Sequence, residues 1–222
     1  MLRVTKFLVG VLLFVGLPLL GWGLADIPGF LANPARLAYV IIASLIQAVL
    51  VIIWPEVGRQ GQAGTQVVRQ QRIVVVLMQM LTLAIIILAP FCDRRGIAVF
   101  GDHAYLRYLG LVLITLGFIG MNWAAAALGK QFSVQVTLQQ DHQLVTSGPY
   151  RYLRHPRYAC ILLYNLGLAL LFRSWLALLL VGLLAGVLLW RIHDEETFMH
   201  QAFGAEWESY SKRSWRLIPW IY

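Results

Sequence analysis

The chain has little charge and little cysteine, and both shortages narrow what it can be. Of its 222 residues only 13% are Asp, Glu, Lys or Arg, while 59% are hydrophobic. A soluble domain usually carries about a quarter charged residues. With a mean hydropathy of +0.71, this composition excludes an ordinary soluble globule and points to an integral membrane protein. The two cysteines, Cys92 and Cys160, form no C-x-x-C pair, which argues against a disulfide framework or a zinc site. Five histidines are too few for a multi-histidine membrane oxygenase. His193, Glu196 and His200 stand at i, i+3 and i+7, but neither H-E-x-x-H nor the repeated Glu-x-x-His units of helical di-iron sites occur, so no catalytic metal is expected. No Gly-rich dinucleotide loop is present, which counts against a nicotinamide-dependent reductase. No small-x-small cleavage site follows the first apolar run, which therefore reads as a retained span rather than a signal peptide. Acidic residues are also scarce: 10 against 18 basic ones, a formal net charge of +8. The basic residues lie mainly between apolar segments, where attraction to anionic headgroups explains them better than nucleic-acid binding.

What the chain does have is long apolar runs. Four lie near residues 4–22, 36–54, 73–91 and 105–128, each long enough, or nearly so, to cross about 30 Å of hydrocarbon as a helix. Pro18 is expected to bend the first, Pro55 to end the second and Pro90 to mark the end of the third. A last apolar region, from about Ala159 to Trp190, is too long for one untilted span and is broken by Phe172-Arg173-Ser174. A helical hairpin with a short first arm is the natural reading; one long tilted helix is the alternative. The predicted fold is thus all-α: a polytopic transmembrane bundle of six spans with a C-terminal helical hairpin and a cytoplasmic cofactor pocket. Gly182-x-x-x-Gly186, Gly117, Gly120 and Ala124–Ala127 suggest close helix contacts, more simply within the bundle than in an oligomer.

Basic residues set the predicted orientation. Arg3, Lys6, Arg59, Arg69, Arg72, Lys130, Arg151, Arg154, Arg157, Arg191, Lys212, Arg213 and Arg216 fall on one face of a six-span chain. Arg36, Arg94, Arg95, Arg107 and Arg173 fall on the other. The excess predicts an inner-membrane protein with both termini in the cytoplasm. It also places the two richest polar segments, 129–158 and 191–222, on that same face.

The first of these segments reads Asp141-His142-Gln143-Leu144-Val145-Thr146-Ser147-Gly148-Pro149-Tyr150 and continues to Tyr158. Gly148-Pro149 predicts a turn, and Pro156 is expected to open a helix with Arg154 and His155 at its mouth, near backbone N–H groups that suit an anion. Tyr150 and Tyr158 can pack on an adenine or anchor the helix at the interface, and Arg or Tyr at a membrane border also serves as a snorkelling anchor. The second segment runs from Arg191 to Gly204 and continues the last span. Arg191 and Glu195 fall near one helical face, Glu196 about 100° away, and Glu196 and His200 can meet at i, i+4. Phe198, Phe203, Trp207 and Tyr210 give the tail apolar surface to dock on the bundle or in the interface.

Together these segments resemble the isoprenylcysteine carboxyl methyltransferase family, including its prokaryotic members and the related phospholipid methyltransferases. The residues that carry the resemblance are His142-Gln143-Leu144-Val145-Thr146-Ser147-Gly148-Pro149-Tyr150 and Arg154-His155-Pro156-Arg157-Tyr158. They are joined by Arg191-Ile192, Glu195-Glu196, Phe203-Gly204, Tyr210 and Leu217-Ile218-Pro219. The resemblance makes 1–222 a single membrane methyltransferase domain, with 1–72 as variable first spans and 105–222 as the family-like catalytic core. It implies S-adenosylmethionine as methyl donor, contacted by His142, Leu144, Gly148, Tyr150, His155, Tyr158 and Glu196. It further implies catalytic roles for Arg191, Glu196 and Arg154, and a lipid-like or amphipathic acceptor reached from the bilayer. Trp207 stands where relatives often carry Tyr, and Ala159-Cys160 replaces a Gly-containing stretch, which leaves the acceptor open. Phospholipid amine N-methylation and small-thiol S-methylation are alternatives within methyl transfer; a membrane scaffold or transporter is the alternative outside it.

Overall fold

The computed structural model describes residues 2–53, 69–129 and 144–221. The described residues are almost entirely helical. The first apolar run forms α1 (Leu2–Val11), a π-helical turn (Leu12–Gly16) and α2 (Leu17–Trp22). The turn precedes Pro18, which has no N–H to give the carbonyl of Phe14. The Tyr39 hydroxyl donates to that carbonyl instead. A short α3 (Ile27–Leu31), capped by the Asp26 carboxylate on the Gly29 N–H, leads into α4 (Pro34–Ile53). Then follow α5 (Arg69–Arg95), α6 (Ala104–Leu128), α7 (Pro156–Leu171), α8 (Trp175–Phe203) and α9 (Ala205–Ser211).

Five of these stretches are long and apolar enough to cross a membrane: Arg3–Trp22, Pro34–Ile52, Ile73–Arg95, Ala104–Leu128 and Trp175–Phe203. The predicted break at Phe172–Ser174 is present and separates α7 from α8. However, α7 has 16 residues, about 24 Å at 1.5 Å per residue, short of a hydrocarbon core of about 30 Å. The predicted sixth span is therefore a short helix, and it is wrapped by protein: Ile161, Tyr164, Leu168, Ala169 and Leu171 are buried.

Two sequence expectations need correction. Pro90 does not end the third span, since α5 continues through it to Arg95. A proline inside a membrane helix is tolerated even though it frees the carbonyl four residues back, here that of Ile86. Nor do Gly182 and Gly186 make helix contacts within the described bundle, because a Cβ at either would meet no atom within 4 Å. The buried stripe of α8 is Ala177, Leu184, Leu188, Arg191 and Ile192, which turns the glycines outward. Pro55 lies outside the described residues.

Glycines also bring α6 close against α7. A Cβ at Gly117 would sit 2.6 Å from the Tyr164 nitrogen and 2.7 Å from the Cys160 oxygen, and Gly110 and Gly167 face each other's carbonyls equally closely. Gly117→Val is expected to force these helices apart at a cost of about 1–3 kcal/mol. The measurement is thermal unfolding of the purified protein, with a drop of about 3–10 °C; an unchanged midpoint contradicts the close packing.

The end of the bundle that holds the α7–α8 turn is closed by an ionic cluster. The Asp93 carboxylate of α5, only 1% exposed, accepts from Arg36 of α4 (2.9 Å), Arg107 of α6 (2.9 and 3.1 Å) and Arg173 of the turn (2.8 Å). Arg107 also bonds Asp102 at 2.7 Å and the Leu171 carbonyl at 2.7 Å. The Arg107 guanidinium holds the Asp102 carboxyl below the usual carboxylate range. Three of the five basic residues assigned to this face are thus drawn onto Asp93.

Candidate functional site

The opposite end of α7 is built by three segments that are far apart in sequence. Gly148, at φ +61°, opens a single 3-10 turn (Gly148–Arg151). At that φ a Cβ is disfavoured, and the turn packs beside Ala127 of α6. The chain then extends through Leu153 and Arg154 to His155, the N-cap of α7, with Pro156 as its first residue. His155, at φ −125° and ψ 54°, stays out of the α region that a following proline disfavours.

The C-terminal tail lies against this extended stretch. The Arg154 N–H donates to the Trp215 carbonyl (2.7 Å), the His155 N–H to the Arg216 carbonyl (3.0 Å) and the Trp215 N–H to the Tyr152 carbonyl (3.0 Å). These bonds bracket a parallel bridge between Leu153 and Trp215. The Tyr210 hydroxyl donates to the Tyr150 carbonyl at 2.7 Å. Burial pushes the Tyr210 phenol up to about 12 and raises that of Tyr150 as well, so both keep their protons at neutral pH.

Glu196 of α8 is the meeting point. Its Oε1 accepts from Arg154 Nε at 2.8 Å and lies 3.3 Å from His155 Nε2; its Oε2 accepts from Arg216 Nε at 2.7 Å. Arg154 also donates to the Ser211 carbonyl (2.7 Å) and the Ser214 carbonyl (2.5 Å), so one guanidinium ties the loop, the helix and the tail. These are charge-assisted bonds in a half-buried setting, stronger than neutral pairs. Two arginines and a histidine thus converge on one carboxylate.

A second set lies beside the first. The Tyr158 hydroxyl donates to Glu195 Oε2 at 2.7 Å and accepts from Arg191 Nε at 2.5 Å. Arg191 is 4.0 Å from Glu195, and its guanidinium carbon lies 5.6 Å from the Tyr158 ring centre. The two sets are joined by stacking of His155 on Tyr158, with centroids 5.6 Å apart and planes 9° apart.

The structure therefore brings together Arg154, His155, Tyr158, Arg191 and Glu196 among the residues singled out from the sequence. Tyr150 is part of the wall through its carbonyl. Gly148 shapes the turn beside α6 without reaching the Glu196 cluster. Leu144 is half-buried at the start of the described segment, and His142 lies outside the described residues. The expected Glu196–His200 contact is not made: His200 turns to Glu208 of α9 at 3.1 Å. Trp207 is buried, edge-on to Tyr210. The pairing of Arg216 with Glu196 is not legible in the sequence, and Glu195 stands out there only as sharing a helical face with Arg191. Arg216 carries no motif of its own and reads in the sequence only as one of the tail's basic residues. Among the described residues no group of three or more His, Cys, Asp or Glu is placed to hold a metal ion.

Comparison with known proteins adds an independent line. Residues 109–201 match the model of the isoprenylcysteine carboxyl methyltransferase (ICMT) family, a range that holds both halves of the cluster except the tail. The chain is 28% identical over 127 residues to a probable protein-S-isoprenylcysteine O-methyltransferase of Oryza sativa subsp. indica, which covers 54% of this chain and 64% of that protein. It is 36% identical over 111 residues to the cobalt-zinc-cadmium resistance protein CzcN of Cupriavidus metallidurans, covering 49% and 50% of the two chains. The matched segments thus span less than two thirds of these relatives. The solved structure of a eukaryotic intramembrane Ras methyltransferase, ICMT, aligns with a TM-score of 0.57 and 20% identity over 99% of this chain and 77% of that one. That likeness establishes a shared fold.

Proposed function

We propose, because the chain belongs to the isoprenylcysteine carboxyl methyltransferase family, that it is a membrane methyltransferase using S-adenosylmethionine and a lipid-like acceptor. The observation that carries the reading is the convergence of loop, α8 and tail on Glu196 at one end of the bundle. When bound, the donor supplies a methyl group on a sulfonium centre, electrophilic without further activation. The residues present suit such a molecule. Glu196 supplies an anion suited to an ammonium group, Arg154 and Arg216 supply positive charge suited to a carboxylate, and the buried rings of Tyr150, His155 and Tyr158 make this end of the bundle aromatic. We assign donor contacts to His142, Leu144, Gly148, Tyr150, His155, Tyr158 and Glu196, with residues 105–222 as the catalytic core and 1–72 as its variable part.

The chain's contribution to rate is alignment. An acceptor nucleophile must approach the methyl carbon opposite the departing sulfur, and fixing that approach while excluding water supplies most of the catalysis such a site can offer. Arg191, buried beside Tyr158, orients the acceptor; Glu196 and Arg154 hold the donor end. An anionic acceptor oxygen or thiolate needs no general base, whereas an amine must arrive unprotonated. The 29 residues of α8 exceed what a bilayer core needs, so its polar end from Arg191 onward extends past the hydrocarbon. The positive-inside excess supports a cytoplasmic location for that end and for both termini, in an inner-membrane protein. In this reading α7 is the short sixth crossing, shielded from lipid by α6 and α8.

The test uses purified protein in lipid nanodiscs, isotopically labelled S-adenosylmethionine and a panel of amphiphiles ending in a carboxylate, an amine or a thiol. Donor binding in calorimetry and a methylated product from at least one class are expected, the product mass naming the acceptor. A folded protein that binds no donor overturns the proposal in favour of a scaffold or transporter.

A further inference from the structure

The adjacent acids Glu195 and Glu196 face different partners. Successive residues on a helix point about 100° apart, so Glu196 turns to the loop and tail while Glu195 turns to α7. There its partner is the Tyr158 hydroxyl, and through that hydroxyl, Arg191. The direction of this relay is fixed by chemistry. A guanidinium can only donate, and a hydroxyl has one proton to give. With Arg191 Nε as donor at 2.5 Å, the Tyr158 proton must go to Glu195, where it meets an oxygen at 2.7 Å.

We infer that Glu195 is a positioning residue: through the Tyr158 hydroxyl it fixes the guanidinium of Arg191 for the methyl acceptor, while Glu196 serves the donor. This assignment rests on the methyltransferase reading above. The Arg191 side chain is 4% exposed and that of Glu195 21%, so the relay works where water competes little and a hydrogen bond holds direction well. Arg191 and Glu195 are themselves 4.0 Å apart, at the outer limit of a direct ion pair, so the tyrosine oxygen between them, not mutual contact, sets the guanidinium's angle. The ring of Tyr158 stacks on His155, which touches Glu196. The acceptor-side arginine is thereby held in register with the donor-side carboxylate.

The test compares Glu195→Gln, Tyr158→Phe and the double variant with the wild-type full chain in nanodiscs. S-adenosylmethionine affinity is read by calorimetry; kcat and KM are read for an S-alkylated cysteine amphiphile with a free carboxylate. Phe keeps the ring that stacks on His155 and removes only the hydroxyl, so Tyr158→Phe carries the test if Glu195→Gln fails to fold. Each single variant is expected to lose about tenfold to a hundredfold in acceptor kcat/KM, and Glu195→Gln, whose residue is not among the assigned donor contacts, is expected to keep donor affinity within about twofold of wild type. The double variant is expected to be no worse than the worse single, as for two groups acting through one contact. A merely structural role would lower donor affinity together with turnover. Three results overturn the assignment alone: unchanged acceptor kinetics, a matching tenfold loss of donor affinity in Glu195→Gln, or independent losses that multiply in the double variant. A wild-type protein that binds no S-adenosylmethionine overturns both this assignment and the reading beneath it.

Discussion

Glu196→Gln is expected to cut methyl transfer at least a hundredfold while leaving a folded, membrane-inserted protein. The carboxylate accepts from two arginines and lies against a histidine. An amide of the same shape keeps one acceptor oxygen and turns an NH2 group toward a cation. Hydrogen bonds to charged groups contribute about 1.5–3 kcal/mol each, so losing one, together with the anion that would meet a donor ammonium, accounts for about 2.7 kcal/mol, a hundredfold in kcat/KM. The fold has reason to survive. Arg154 remains bonded to the Ser211 and Ser214 carbonyls, and the backbone pairs around Leu153 and Trp215 do not involve the carboxylate. The measurement is S-adenosylmethionine affinity and turnover of the monodisperse variant, with helicity checked by circular dichroism. Wild-type donor affinity in a folded Glu196→Gln protein would remove the residue from the donor site.

Much of this site was legible because its local geometry is dictated by two prolines and a glycine. Pro156 is preorganised for the first turn of a helix and biases the residue before it away from the α region, which pointed to Arg154 and His155 at the helix mouth. Gly148 before Pro149 had to turn. The 100° separation of neighbouring helix residues put Glu195 and Glu196 on different sides before any contact was known. What stayed hidden depends on the tail's backbone. A single bridge between Leu153 and Trp215 has no periodicity to read, and Arg216 reaches Glu196 only because that bridge sets its register. His200 followed Glu208 for a related reason: Gly204, at φ +50°, starts α9 in a new direction and offers a second acid. In the membrane part, apolar runs located the long helices, but the path of α5 through Pro90 and the outward turn of Gly182 and Gly186 are tertiary outcomes. Which face of an all-apolar helix is buried is weakly encoded when both lipid and protein accept the same side chains.

The least legible feature carries the largest expected effect on stability. Arg36, Arg107 and Arg173 each read as an ordinary face charge, yet they converge on Asp93, which is 1% exposed. Asp93→Asn leaves two buried guanidinium groups, Arg36 and Arg107, and the partly buried Arg173 with the half-exposed Asp102 as their nearest counter-charge. Breaking a buried ion pair by removing one partner costs about 3–5 kcal/mol, because the remaining charge stays desolvated. Arg36 and Arg107 have little freedom to escape: Arg36 is bonded to the Phe30 and Gly29 carbonyls and stacked over Trp22 at 4.3 Å, and Arg107 to the Leu171 carbonyl. The thermal midpoint in nanodiscs is therefore expected to fall by on the order of 10 °C. The cluster and the Glu196 site lie at opposite ends of α7, about 24 Å apart along its axis. At a temperature where the variant is still folded, its S-adenosylmethionine affinity should match that of the wild type. A midpoint within about 2 °C of wild type would mean that water or the neighbouring Asp102 neutralises the arginines as well as Asp93 does, and a matching loss of donor affinity would mean that the two ends are coupled through α7.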